Sequence, residues 1–415
     1  QAEFEGTRVA HHVAVAEMLS TRKGVEGRLG RHLYHAGRLE EAVAVLLRGA
    51  ERYRAEGRRI MSIDMIALRE KALKELEVPL TDVRWAEGWM VREHFYGRRK
   101  NFAKAKTMLE QVLEYTEGVP EAWMIRAKAW RGLGGIYRLM GYPEEARHYL
   151  NKALQNSRED KQLLTTTLNN MGVLELTYGN LVLAAQFFEG ALKYADQTGD
   201  DEQQYRVLSH MAGVHRRQGN IEVAHDYLTR SLAYYRRSGA KQQQARCLND
   251  MAELDRLSGN TAAAELGYRQ AATLQSAIGD QSFSVASLNL GLIYAETGRP
   301  IEARSEIERA QTAVRLEGLA NIEGLTMLVL GHIHVQLGNI DEWQRCFTSG
   351  RDLIEETGFF DVDVARTAQL GGEALLAIER PEEARISLEF AHAHWKSLER
   401  EDKCASVAEV LAQID

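Results

Sequence analysis

One block of 22 residues recurs along this chain about every 40 residues. Six copies align without a gap, at residues 133–154, 171–192, 211–232, 251–272, 290–311 and 330–351. A unit this short cannot bury a core alone, so a periodic sequence predicts stacked supersecondary units that each pack on their neighbours. The repeat therefore fixes the architecture before any single residue is considered, and it indicates binding rather than catalysis.

The pattern inside each block is helical. Leu168, Met171, Gly172 and Leu176 fall at three- and four-residue steps, which places them on one helix face. Steps such as Gly179-Asn180 then end the first helix, because Gly and Asn tolerate the left-handed turn at a helix C-terminus. A second helix follows each turn. No run alternates apolar and polar residues, so we predict an all-α fold.

Small residues recur where the two helices of a block would cross. They are Gly134, Gly172, Ala212, Ala252, Gly291 and Gly331 on the first helix and Ala146, Ala184, Ala224, Ala264 and Ala303 on the second. A close crossing needs little side chain at the contact, with larger residues on either side. We therefore predict that a large residue at Ala224 would split the array.

These positions resemble the tetratricopeptide repeat, which has small residues at its eighth and twentieth positions and Gly at its fifteenth. The resemblance covers roughly residues 26–400 and implies a right-handed α-α superhelix, a solenoid of about nine helical hairpins. The period is near 40 rather than 34, so both helices are expected to be longer. Trp343 stands where Ala is expected, and we predict that it opens the stack locally.

The resemblance also suggests how the chain is organised. We predict an N-terminal helical segment over residues 1–80, holding the first repeat-like unit and an extra helix at about residues 59–76. A solenoid would follow over residues 81–400, and residues 401–415 would form a capping helix.

The N-terminal stretch is similar to the junction where helical sensor arms begin in bacterial signalling ATPases of the STAND class, some of which are fused to kinases. The residues that carry this similarity are Gly30, Arg31, His32, Ala36, Gly37, Glu41 and Ala42. The start, QAEFEGTRVAHHVAVAEML, has neither an initiator Met nor the order of a secretion signal. We therefore expect a segment of a longer cytoplasmic protein whose ATPase or kinase domain lies outside it.

Composition narrows the class of partner. No stretch approaches the ~18 apolar residues of a membrane span, and Cys247, Cys346 and Cys404 form no paired motif, which suits a reducing compartment. Residues 1–250 carry 38 Lys and Arg against 32 Asp and Glu, and residues 251–415 carry 14 against 27. Neither half suggests nucleic acid. The excess of positive charge in residues 1–250 and of negative charge in residues 251–415 has two explanations. The charges belong to solvated helix faces, or they allow copies of the chain to associate end to end.

A search for chemistry finds no catalytic group. No GxxxxGK[ST] phosphate loop occurs, and no local Ser/His/Asp or Cys/His arrangement is evident. His332 and His334 are two residues apart and so point to different helix faces, whereas helical zinc pairs are four apart. We expect no catalytic residue, no metal ligand and no cofactor.

The remaining candidate for a functional site is a surface on the first helices of the repeats. In the family that the chain resembles, these helices line the concave face. Polar residues recur there with arginines beside them: Asn169, Asn170, Arg206, His210, Arg216, Arg246, Asn249, Asp250, Arg256 and Asn289. Asn can pair with both N–H and C=O of an extended peptide, and Arg can hold a carboxylate. The alternative is that these are solvated polar residues, partly paired with one another.

We therefore interpret the chain as a non-enzymatic scaffold that binds a protein or peptide in its concave groove. It would serve as the sensor or regulatory arm of a larger bacterial signal-transduction protein, and an attached ATPase or kinase domain is one candidate partner. The alternatives are a receptor arm for a small molecule or signalling peptide, and a self-assembly module. Direct contact with nucleic acid or membrane is not expected.

Overall fold

The structure of the protein is a computed structural model that describes residues 2–56, 58–98, 101–157, 160–277, 285–317, 319–359 and 361–414. These residues form 21 α-helices and one 3-10 turn, and no strand occurs among them. The predicted all-α, helical-repeat class is confirmed. The chain divides into two compact units, Gln1–Gln218 and Gly219–Asp415, with a boundary that falls inside the predicted 81–400 region.

Unit 1 contains eleven α-helices among its described residues. They are α1 (Ala2–Ser20), α2 (Glu26–His35), α3 (Leu39–Ala55), α4 (Arg59–Glu75), α5 (Val83–Arg98), α6 (Phe102–Tyr115), α7 (Trp123–Leu139), α8 (Pro143–Asn156), α9 (Lys161–Thr177), α10 (Leu181–Thr198) and α11 (Asp201–Arg217), with the 3-10 turn at Pro120–Ala122. The expected extra helix is α4. Its buried Arg69 ties it to its neighbours, because it donates to the Val43 carbonyl at 3.1 Å and pairs with Glu87 at 2.6 Å.

Unit 2 contains ten α-helices among its described residues. They are α12 (Ile221–Ser238), α13 (Lys241–Leu257), α14 (Thr261–Ala277), α15 (Val285–Glu296), α16 (Pro300–Glu317), α17 (Ala320–Gln336), α18 (Ile340–Thr357), α19 (Val362–Ala377), α20 (Pro381–Ser397) and α21 (Glu401–Leu411). The last helix, α21, packs on α20 and Val407 is its buried anchor. The capping role of residues 401–415 stays a prediction.

The helices pair as the glycine turns predict. Gly179 and Gly338 adopt φ angles of 84° and 75°, in the left-handed region that glycine enters without steric cost. Pro143, Pro300 and Pro381 each open a second helix, where the missing N–H leaves no bond unmade. Eight of the nine predicted pairs lie within one unit of the described chain, and the unit boundary divides α11 from α12.

The small residues do lie where paired helices cross. A Cβ on Gly172 of α9 would lie 2.5 Å from Phe188 of α10, so a larger residue cannot occupy this position without displacing the aromatic ring. Ala184 of α10 is 0% exposed. Each pair therefore depends on a close backbone approach, with larger apolar side chains filling the space around it.

Trp343 does not open the pair formed by α17 and α18, which pack closely along their lengths. The facing residue is Gly331, and a Cβ there would lie at an ordinary contact distance of 3.5 Å from Trp343 Cδ1. Trp343 is buried and stacks on Phe347 with ring centroids 5.4 Å apart. The indole therefore packs inside the pair, against Phe347 and opposite Gly331.

None of the helices in the described ranges is long and apolar enough to cross a lipid bilayer.

Candidate functional site

In unit 1, two of the predicted polar residues lie side by side on successive first helices. The Asn169 Oδ1 atom on α9 and the His210 Nδ1 atom on α11 are 2.8 Å apart, a hydrogen-bond distance. Asn169 is buried, and the His210 ring also lies against Phe188. The hydrogen bond shows that neighbouring repeat positions on α9 and α11 meet on one face of unit 1.

The other predicted residues of unit 1 occupy the same two helices. Asn170, Arg206 and Arg216 are all half-buried. Arg206 pairs with Glu202 one turn earlier on α11, at 2.6 Å. A half-exposed pair of this kind contributes little to stability, so the guanidinium can exchange partners at low cost.

Two charged residues of unit 1 were missed by the sequence reasoning. Arg131 lies on α7, 38 residues before Asn169 and at the same repeat position, and its buried Nε atom has no hydrogen-bond partner within the described residues. Burial raises the pKa of Glu93 on α5 to about 7, and the charges of Arg131 and Arg54 oppose that rise. Arg131 can be found from the sequence by moving back one repeat from Asn169, whereas no sequence signal marks Glu93.

In unit 2, Asn249 of α13 and Asn289 of α15 form the corresponding pair. The Asn289 Nδ2 group donates to the Asn249 Oδ1 atom at 3.2 Å, and Asn249 Nδ2 donates to Asp250 at 3.3 Å. Both asparagines are half-buried, while Arg246 and Asp250 are exposed on α13. The structure thus groups four of the five predicted residues of this unit on one polar face.

The fifth residue, Arg256, is occupied inside unit 2. Its guanidinium pairs with Glu253 at 2.9 Å, with Glu296 at 3.3 Å and with Asp363 at 3.0 Å, and only 10% of the side chain is exposed. Any ligand would have to compete with these three carboxylates. Arg366 adds a second cation, 2.9 Å from Glu296.

The hydroxyl of Tyr268 completes this cluster by donating to Glu253 at 2.6 Å. Burial, followed by the nearby Glu253 charge, raises the pKa of Tyr268, so the phenol stays protonated and remains a donor. Burial likewise raises the pKa of Asp363 to about 6, against the opposing charge of Arg256. We define Glu253, Arg256, Tyr268, Glu296, Asp363 and Arg366 as the charge cluster of unit 2.

One group of side chains has the composition of a metal site. His334 of α17 and Glu342 and Cys346 of α18 each offer one ligand atom, and these atoms all lie within 4.8 Å of one another. The spacing of the histidines in the sequence does not reveal this group, because its members come from two helices.

Comparison with known proteins agrees with this architecture. A family model described as a tetratricopeptide repeat matches residues 125–197, 163–237 and 203–277. No curated protein matches the sequence.

Two solved structures have a similar fold. A Rap protein complexed with competence and sporulation factor is 14% identical, with a TM-score of 0.55 over 80% of this chain and 98% of that one. A STAND protein with a tetratricopeptide repeat sensor, from Pyrococcus horikoshii, is 14% identical, with a TM-score of 0.55 over 85% of this chain. The match spans about half (54%) of that second protein. Residues 125–277 of this chain are therefore similar to tetratricopeptide repeats, within an all-α helical-repeat fold.

Proposed function

We propose that this chain is a non-catalytic binding module whose first helices hold an extended segment of a partner protein or peptide. The observation that carries the proposal is the hydrogen bond between Asn249 and Asn289 on successive first helices of unit 2, repeated by Asn169 and His210 in unit 1. We call the pair in each unit, Asn249 with Asn289 and Asn169 with His210, its polar row. Each asparagine amide in a polar row has two N–H donors and an acceptor oxygen. An extended backbone presents the matching groups at regular intervals.

The charges beside the row suggest what kind of segment would bind. Arg246 and Asp250 are exposed one helical turn apart on α13, so they present opposite charges on the same helix face. A guanidinium can hold a carboxylate with two parallel hydrogen bonds, and the carboxylate can hold a basic side chain. We therefore propose a partner segment that carries both signs of charge or ends in a free carboxylate.

Arg256 has a different role in this proposal. Because it is committed to Glu253, Glu296 and Asp363, we assign it to the shape of the face rather than to the ligand. Arg131 and Glu93 in unit 1 are better candidates for ligand contact, since the Arg131 Nε atom is buried without a partner in the described structure.

We propose further that the module is the sensor or regulatory arm of a larger signalling protein. Two observations support this: the similarity of residues 30–42 to a STAND junction, and the shared fold with a STAND protein of which this chain spans about half (54%). Occupancy of the polar row would change how the arm contacts an attached ATPase or kinase domain. Reading the adjoining coding sequence tests this point, and an adjoining segment without a phosphate-binding loop or kinase motif would contradict it.

The binding proposal can be tested without knowing the natural partner. Random peptides displayed on phage would be selected on the full chain, and the strongest binder would be synthesised as a probe. We expect Asn249→Ala and Asn289→Ala each to weaken binding of this probe by roughly two- to tenfold, because one neutral hydrogen bond contributes about 0.5–1.5 kcal/mol. Calorimetry measures both affinities.

The matched control is Asn151→Ala, an exposed asparagine on α8, the second helix of its pair. It should leave the affinity unchanged. Equal affinity of the probe for wild type and for the Asn249→Ala/Asn289→Ala double variant would remove the polar row from the binding site. If selection gives no binder and the chain associates with itself at low salt in light scattering, the self-assembly alternative is favoured instead.

A further inference from the structure

The turn between α17 and α18 brings three potential metal ligands together in unit 2. His334 lies in the last turn of α17, and Glu342 and Cys346 are four residues apart on α18, hence on one face of that helix. Gly338, with φ of 75°, closes the turn, and the Asn339 N–H donates to the His334 carbonyl at 2.8 Å. The backbone therefore fixes His334 relative to the two α18 residues.

The His334 side chain does not use all of its hydrogen-bonding capacity. The residue is 8% exposed, and its Nδ1 atom is buried with no hydrogen-bond partner in the described part of the chain. Leaving a buried polar atom unpaired is unfavourable, so such an atom usually has a partner of some kind. A bound cation beside the ring would give the imidazole one.

The three side chains line a hollow with room for a metal and its water. The cavity has a volume of about 730 Å³ and lies between α16 on one side and α17 and α18 on the other. Arg304 and Gln311 line it from α16, and Met327 from α17. An ion can enter from this side, and a water molecule can supply a fourth ligand.

We propose that His334, Glu342 and Cys346 bind one divalent transition-metal ion of the zinc class. A nitrogen, a carboxylate oxygen and a sulfur form a ligand set of borderline softness, which suits Zn²⁺ and Co²⁺ better than Mg²⁺ or Ca²⁺. The ligand atoms need only small side-chain rotations from their present separations to reach bonding distance. This site is separate from the polar row of α13 and α15, and the inference does not depend on the proposed function.

Binding would proceed by exchange of a proton for the ion. Cys346 is a free, buried cysteine, and a free thiol carries its proton near neutral pH. When the sulfur–metal bond forms, the S–H bond breaks and the proton passes to solvent, with no change in oxidation state. The thiolate and the Glu342 carboxylate then balance the double charge of the ion. Arg345, which pairs with Glu342, contacts one carboxylate oxygen and leaves the other for the metal.

The experiment must separate this site from a histidine cluster in unit 1. His12 lies with its ring centroid 5.0 Å from those of both His32 and His35, and such a cluster also attracts transition metals. It contains no sulfur. The readout is therefore the near-ultraviolet absorption of a thiolate–Co²⁺ bond, measured while Co²⁺ is added to the full chain after treatment with a chelator.

We expect the thiolate band to saturate at one equivalent of Co²⁺ and to disappear when Zn²⁺ displaces the Co²⁺. Cys346→Ser should abolish the band. Glu342→Gln should weaken Co²⁺ binding by more than about tenfold, since the loss of even an outer-shell group lowers metal affinity by roughly 10–100-fold. The Glu342 side chain is 44% exposed, so we expect this variant to fold. Circular dichroism would show that each variant is folded.

The controls are Cys404→Ser, at a half-buried cysteine on α21, and the double variant His12→Gln/His35→Gln. Both should keep the band at one equivalent. A wild-type chain without a thiolate band, or a band that survives Cys346→Ser and is lost in Cys404→Ser, would overturn the proposal.

Discussion

The guanidinium of Arg256 lies 3.0 Å from the carboxylate of Asp363, although 107 residues separate them in the chain. Arg256 is near the end of α13, and Asp363 is near the start of α19. The ion pair therefore joins two first helices of unit 2 that lie three repeats apart. Because Glu296 of α15 contacts the same guanidinium, one buried charge links three first helices.

Replacing Arg256 should lower the stability of unit 2 by more than the buried surface area of this one side chain suggests. We expect Arg256→Met to cost about 3–5 kcal/mol, because Glu253, Glu296 and Asp363 would be left buried without their shared cation. Hydrogen exchange should then speed up in both α13 and α19. The control is Arg246→Met, an exposed change on α13 that should stay within about 0.5 kcal/mol. Exchange in α19 at the wild-type rate would contradict the linking role of Arg256.

Glu93 predicts a pH dependence of stability in unit 1. Its pKa is raised from 4.5 to about 7 in the folded protein, chiefly by burial. Between these values the folded state keeps a proton that the unfolded state has lost, so stability falls as the pH rises through this window. From about pH 5 to about pH 8 the loss should be roughly 2 kcal/mol.

Glu93→Gln tests this dependence, because the amide resembles the protonated acid and does not titrate. We expect the variant to be more stable than wild type at about pH 8 and nearly equal to it at about pH 5. Urea denaturation at both pH values measures the difference. Gln111→Glu on α6, a half-buried position, places a new carboxylate elsewhere and should not reproduce the effect. A constant difference between Glu93→Gln and wild type at the two pH values would refute the prediction.

Restoring the small residue expected at Trp343 should destabilise the protein. Trp343 is 2% exposed, stacks on Phe347 and faces Gly331 of α17. Trp343→Ala should therefore leave a cavity and cost about 3–5 kcal/mol. Thermal unfolding checks this, with Ile301→Ala, at a residue 75% exposed, as the control. A variant as stable as wild type would mean that the pair closes around alanine, as the repeat pattern suggests.

Ala224 and its neighbour Val223 offer a matched test of the small positions. Ala224 is 0% exposed on α12, whereas Val223 is 40% exposed. A tryptophan at Ala224 must displace the side chains packed around this buried position, which typically costs at least about 1–3 kcal/mol. The same residue at Val223 points to solvent and should have little effect. Chemical denaturation of both variants measures the difference, and equal stability would argue against close packing at Ala224.

The sequence alone determined the helical repeat, its turns and its close crossings. These features depend on residues a few positions apart: a three- and four-residue periodicity, a glycine able to enter the left-handed region, as at Gly179, and a small residue such as Gly172 facing a large one. That Asn249 and Asn289 share a face could also be predicted, since they occupy neighbouring positions of successive repeats.

Only the tertiary structure decided which charged side chains meet and which potential metal ligands lie together. The repeat position of Arg256 predicts a ligand contact, yet Arg256 pairs with Asp363, and no period relates the two residues. The spacing of His332 and His334 predicts no metal pair, yet the turn after α17 places His334 beside Glu342 and Cys346. Such contacts depend on how the two helices of a pair cross and on how each pair packs on the next, and both are the sum of many packing contacts.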